Sequence, residues 1–317
     1  MLTAFLTTLE QMARIFLFLL VGFGLNRLHI LPKGAGAGIS RLVTMVLLPA
    51  LVIYSNMTEF NLANVGQYGR LVLLGGLLWA VLTLIVMPIA KMLSAGDYLE
   101  HGVYLYGLSF PNTGAVGTPL VLALFGTAGL FQFNLFLLVV GIMTYGWGVG
   151  LFLDGERKNS AKQFLIHMLN PVFISMIIGM FLAVIGAKNW LPTMAVNFVG
   201  DLGSCYVPLS LLLTGYTIAD YQLNEVFKCP KSYVFTLLRL IILPLLAVGV
   251  AKLLNLSLFE ASLTALTFAG PSGMNVVVFP ASYGRDCKTG ASIVLISSLT
   301  SILTVPVLYA LVQQLFG

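Results

Sequence analysis

The sequence predicts an all-α membrane protein: ten transmembrane helices in two inverted five-helix repeats, with helices four and nine broken. Three observations carry this expectation. Of the 317 residues, 59% are hydrophobic and only 9% are Asp, Glu, Lys or Arg, whereas soluble domains carry roughly 25% charged residues. Ten segments are apolar over about the 20 residues that a helix needs to cross hydrocarbon. Features of the first half of the chain recur in the second at an offset near 160 residues.

The first segment, 4–26, carries Glu10 and Arg14 four apart on one helical face. It has no small-residue cleavage site, so it reads as a span and not a signal peptide. The second, 38–57, holds V-L-L-P-A around Pro49. The third, 70–93, is a continuously apolar run, which argues helix because barrel strands alternate with period two. The fourth, 101–125, and the fifth, 129–152, follow with only a short connection between them. The second half offers 164–186, 194–217, 232–254, 258–283 and 289–315. The longest polar stretches, 154–163 and 219–231, leave no soluble domain.

Cations set the orientation. Arg27, Lys33, Arg41, Lys91, Arg157, Lys158, Lys162, Lys228, Lys231, Arg239, Arg285 and Lys288 lie in or beside the odd-numbered connections, twelve of the 16 Lys and Arg residues. Both termini are therefore expected on the non-cytoplasmic side of the cell membrane. The repeat rests on Pro49 and Pro208, Lys91 and Lys252, Pro111 and Pro271, and Phe125-Gly126 and Tyr283-Gly284, whose offsets run from 158 to 161. Residues 1–157 and 158–317 are the expected halves. Because five crossings is odd, the second half enters from the opposite side, an arrangement suited to alternating access.

The fourth span packs Pro111, Gly114, Gly117 and Pro119 into nine residues, and the ninth packs Gly270, Pro271, Gly273 and Pro280 into eleven. Proline removes a backbone donor and clashes with the carbonyl four residues earlier, so both helices are expected to break. Unpaired backbone groups at membrane depth are tolerated only in protein or beside a watery cavity. A half-helix N-terminus there presents free N–H groups and a positive dipole end to an anion. Asn112, Thr113, Ser272 and Asn275 are the polar side chains at the breaks, and the two asparagines are candidates to clamp a carboxylate from two sides. The competing view is that the prolines only kink the helices and the asparagines only cap them.

Other classes are excluded or set aside. Scattered cations argue against nucleic acid. Cys205, Cys229 and Cys287 form no CxxC pair, so neither a disulfide framework nor a zinc site is encoded, and no cofactor is expected. The middle thirds of spans three to five and eight to ten hold no Asp or Glu, which argues against a cation substrate. H-E-x-x-H, G-x-G-D, G-x-S-x-G and the P-loop are absent, so an intramembrane enzyme is disfavoured. Asn134, Tyr145 and Ser297, in spans five and ten, are second-layer candidates beside the breaks. Tyr54 reads as an interface-belt residue and Tyr206 as belt or pocket. His29, His101 and His167 sit near membrane ends, where a proton relay is not expected. Arg239, about two turns inside span eight, is expected to snorkel to the cytoplasmic surface, with attraction of an anion into the cavity as the alternative.

At these residues the chain resembles the auxin efflux carrier family, including bacterial members associated with malate and malonate. The resemblance rests on N-x-G-x-x-G-x-P at Asn112, Gly114, Gly117 and Pro119, followed by Phe125-Gly126. V-L-L-P-A, the V-P-L stretch followed by Gly215, and P-A-S-Y-G at 280–284 add to it. Ala115 stands where many relatives have Asn. The resemblance implies a scaffold of spans one, two, six and seven, and a transport domain of spans three to five and eight to ten. It also implies helices crossing near Pro111 and Pro271, an organic carboxylate held there by Asn112 and Asn275, and homodimerisation through the scaffold. The expected function is an elevator-type carrier of small organic anions; the alternative is a cation/proton antiporter of similar fold.

Overall fold

The computed structural model describes residues 2–32, 34–152, 171–220, 226–282 and 288–317, without the side chains of 281, 282 and 288. The 157/158 boundary, the first residues of the sixth span, Lys33, Arg157, Lys158, Lys162, His167, Arg285, Cys287 and Tyr283-Gly284 lie outside the described residues.

The described chain is all helical. Its elements are α1 (Leu2–Arg27), α2 (Ala35–Glu59), α3 (Leu62–Ser94), α4 (Tyr98–Ser109), α5 (Thr113–Phe136), α6 (Leu138–Phe152), α7 (Pro171–Val184), α8 (Thr193–Ile218), α9 (Pro230–Leu253), α10 (Leu258–Phe268), α11 (Asn275–Ser282) and α12 (Lys288–Phe316), with one extra turn at Ala187–Trp190. Seven of them, α1, α2, α3, α5, α8, α9 and α12, are long and apolar enough to cross a membrane, and α6, α7 and α10 are shorter apolar helices. The protein is therefore a multi-pass membrane protein.

Local chemistry explains the boundaries. Asp97 caps α4 by accepting the Glu100 N–H at 2.8 Å. Ser257 caps α10 in a reciprocal box with Glu260. Wide, π-type turns at Val43–Leu47, Thr113–Gly117 and Leu238–Ile242 each end two residues before a proline: Pro49, Pro119 and Pro244. Widening the turn spares the carbonyl that the proline ring would strike and could not pair with. The fourth and fifth spans are divided differently from the expectation. The helix after the break runs on from Thr113 to Phe136, but the chain turns at Gly126, whose φ of 65° and ψ of −163° are open to glycine.

Packing follows from small residues. α1 lies on α8, where Gly22 faces the Leu212 carbonyl and Gly215 faces the Leu19 carbonyl so closely that no Cβ would fit. Such small residues let membrane helices approach backbone to backbone. α2 packs on α7 and α8, α3 on α4 and α5, and α12 on α1, α9 and α10. The most apolar window of α12 is 67% buried against 22% for α1, so α12 is central and α1 peripheral. Tyr54 packs against Gly200 of α8, facing protein.

Candidate functional site

α4 ends at Ser109 and α10 at Phe268, and the two interrupted segments meet. Pro111 and Ser272 form an isolated antiparallel bridge, and the Asn112 N–H donates to the Pro271 carbonyl at 2.8 Å. Backbone groups released by the prolines thus pair across the crossing, as burial requires. α5 and α11 start from the same place, which brings two helix N-termini together.

A cavity of about 1080 Å³ adjoins the crossing, roughly the upper size of small-molecule pockets. Pro111, Asn112, Thr113, Gly114, Gly273 and Asn275 line it, as do Asn134 and Tyr145. Pro271, Ser272, Gly117, Pro119, Pro280, Ser297 and Arg239 are not among the residues that line it. Gly117 packs on the Phe133 ring, and Pro119 and Pro280 are buried in their helices. Ser272 is fully buried; its N–H donates to the Ser297 Oγ at 3.1 Å, and that hydroxyl donates to the Val294 carbonyl at 3.2 Å. The cavity runs from the crossing to Asn26, exposed His29 and Asp220. None of its described lining residues is Lys or Arg. Asp220 is held at the mouth by the Asn26 amide at 2.8 Å.

The two asparagines are not equivalent. Asn112 is the N-cap of α5: its Oδ1 accepts the Ala115 N–H at 3.1 Å, so its Nδ2 is the group left for the cavity. Asn275 donates its Nδ2 to the Tyr106 hydroxyl at 2.9 Å, which leaves its carbonyl oxygen and the Tyr106 O–H proton. Tyr206 lines the cavity and donates to the Gly114 carbonyl at 3.3 Å. Asn134 has a buried Nδ2 with no partner among the described residues. Sequence reasoning missed Tyr106. Its one signal was its place five residues before Pro111 in the same span, which does not say which way the ring points.

Arg239 corrects an expectation. It does not snorkel: its exposure is 0%. Its Nε donates to the Gly270 carbonyl at 3.0 Å and its Nη1 to the Leu108 carbonyl at 2.8 Å. A guanidinium buried at this depth is costly unless bonded, and the carbonyls freed where α4 and α10 end supply acceptors for two of its three nitrogens, Nη2 having no partner among the described residues.

An apolar helical bundle that spans a membrane and carries two interrupted helices against a polar-floored cavity defines a multi-pass membrane transporter. The chain belongs to the auxin efflux carrier family: the family described as membrane transport protein matches residues 7–309. An uncharacterized transporter of Methanocaldococcus jannaschii is 27% identical over 198 residues, 61% of this chain and 63% of that protein. An uncharacterized transporter of Methanothermobacter thermautotrophicus is 25% identical over 307 residues, 95% of this chain and 97% of that protein. This chain thus spans under two thirds of the first relative and nearly all of the second.

Proposed function

We propose that the protein is a secondary carrier of small organic anions, carboxylates such as malate, malonate or auxin-like acids, that works by elevator-type alternating access. The observation that carries this reading is the crossing itself. Two helix N-termini and the Asn112 amide face a cavity whose described lining has no carboxylate near the crossing. Such a site suits an anion and offers a cation little. That is also why the cation/proton antiporter is the weaker reading.

Ten crossings in inverted repeats find support in the contacts between helix ends. Under that scheme every one of these contacts joins ends on the same side. On one side Asn26 meets Asp220, and Glu100 meets both Lys231 at 3.7 Å and Thr289 at 2.9 Å. On the other side Thr127 donates to Glu59 at 2.9 Å, Arg70 pairs with Glu260 at 3.1 Å, and Lys252 donates to the Leu315 carbonyl. The ion pairs also repeat: Arg70 and Lys231 are 161 apart, Glu100 and Glu260 are 160 apart, and each acidic residue sits in the first turn of its helix. The elements correspond in order, α1–α6 with α7–α12, divided near residue 157.

On this reading α1, α2, α7 and α8 form the scaffold and the dimer contact, and α3–α6 with α9–α12 form the moving part. With the termini outside the cell, the cavity mouth at His29 and Asp220 faces the cytoplasm, an inward-open state. Asn112 and Thr113 are assigned to the carboxylate, Asn275 and Tyr106 to its far side, and Asn134 and Tyr145 to the flanking walls. Proteoliposome flux with dicarboxylates, monocarboxylates and indole-3-acetate, with and without pH or Na⁺ gradients, tests the proposal. Robust Na⁺ flux without flux or binding of any anion would refute it.

A further inference from the structure

The buried arginine has no carboxylate partner among the described residues; the ion pairs found there are Arg14–Glu10, Arg70–Glu260 and Lys231–Glu100. Its partners are backbone carbonyls, Leu108 in the last turn of α4 and Gly270 just past α10. Helix C-termini carry about −0.5 of a charge each and N-termini about +0.5. Two C-termini and two N-termini meet at this crossing, so the four ends alone sum to about zero. The guanidinium lies on the two negative ends and not in the cavity, whose described lining does not include it. It offsets them and leaves the crossing with about one positive charge, carried by the N-termini of α5 and α11.

From this geometry we propose that Arg239 is the positioning residue that makes the crossing anion-selective, by cancelling the C-terminal ends of α4 and α10 without touching the substrate. The proposal rests on the anion reading given above. It is nonetheless tested without knowing the substrate. In a C205S/C229S/C287S background, Thr113→Cys places a reporter thiol at the start of α5 on the cavity. The reporter is modified in proteoliposomes by anionic 2-sulfonatoethyl and by cationic 2-trimethylammonioethyl methanethiosulfonate. Thiol ionisation cancels in the ratio of the two rates, which leaves the local potential.

A unit charge acting over about 10 Å at an effective dielectric near 20 changes local anion occupancy on the order of tenfold. Arg239→Gln is therefore expected to lower the anionic-to-cationic ratio on the order of a hundredfold, about tenfold from each reagent. Arg239→Lys keeps the charge but not the fork that spans two carbonyls, and is expected to stay within about twofold of the parent. An unchanged ratio in folded Arg239→Gln overturns the proposal. So does a fall on the order of a hundredfold in Arg239→Lys, which would make geometry the cause; this second criterion stands even if Arg239→Gln does not fold. Anion flux by the wild-type protein with an unresponsive ratio in the reporter background overturns the role of Arg239 alone. A responsive ratio without flux of any tested anion by the wild-type protein supports that role and overturns the carrier reading alone.

Discussion

Asn112 does two separable jobs, and its variants distinguish them. Its Oδ1 caps α5 through the Ala115 N–H at 3.1 Å, while its Nδ2 is left to donate into the cavity. Asn112→Ala removes both. Loss of the cap costs about 1 kcal/mol. Loss of a hydrogen bond to a charged carboxylate costs about 1.5–3 kcal/mol, which at 1.4 kcal/mol per decade weakens binding roughly 10- to 100-fold. Asn112→Asp caps as well as asparagine, but it removes the donor and sets a negative charge beside the anion. The expected pattern has unliganded melting ordered as wild type ≈ Asn112→Asp > Asn112→Ala. Carboxylate binding is ordered as wild type ≫ Asn112→Ala > Asn112→Asp. Melting temperature without ligand, and titration calorimetry with whichever carboxylate the flux panel selects, read the two quantities apart. If Asn112→Asp melts as low as Asn112→Ala, the capping assignment fails. If both variants bind like wild type, Asn112 is a cap and no more.

Glu260 should matter more than its partner. Its Oε2 accepts the Ser257 N–H and hydroxyl, both at 2.9 Å, besides pairing with Arg70. Glu260→Ala is expected to destabilise by about 1–3 kcal/mol, and Arg70→Ala by under about 1 kcal/mol because the arginine side chain is 63% exposed; thermal or denaturant melts order the two. Ten crossings predict that cysteines at Glu100 and Glu260 react with an impermeant maleimide from opposite sides of the membrane, and labelling from one side would remove the inverted repeat. With no Lys or Arg among the described residues lining the cavity, a singly charged carboxylate should bind at least about tenfold more tightly than a dicarboxylate of similar size, since the second charge is desolvated without a partner; competition in the flux assay measures this preference.

The all-helical, membrane-spanning character was legible in the apolar runs, and the two breaks were legible because proline and glycine act locally: Pro111 and Pro271 forbid the same backbone bonds in any context. Asn112 and Asn275 could be picked out for the same reason, as polar residues beside those breaks. What each amide does was not legible, because it depends on Tyr106 and on the α5 N-terminus arriving from elsewhere in the fold. Arg239 was read from its depth along one helix, which favours snorkelling, whereas its acceptors come from two other helices. One signal was present and overlooked: D-x-x-E at 97–100 and S-x-x-E at 257–260, two capping patterns 160 residues apart.

The distribution of polar contacts bears on motion. On the proposed division, Arg70–Glu260, Lys231–Glu100, Arg239 with both break carbonyls, and Asn275–Tyr106 all lie inside the moving part. Asn26–Asp220 lies inside the scaffold. Thr127–Glu59 and Tyr206–Gly114 bridge the boundary, and the contacts of α1 with α12 lie along it. A neutral hydrogen bond contributes about 1 kcal/mol and one to a charged group about 1.5–3 kcal/mol, so breaking both bridges costs a few kcal/mol, within what ligand binding supplies to a conformational equilibrium. Breaking the clamp at Arg239 would strand a charge and two carbonyls at membrane depth, which costs more. The crossing should therefore travel as one rigid piece, with the bound anion carried inside it, while the boundary beside Tyr206 and Glu59 slides.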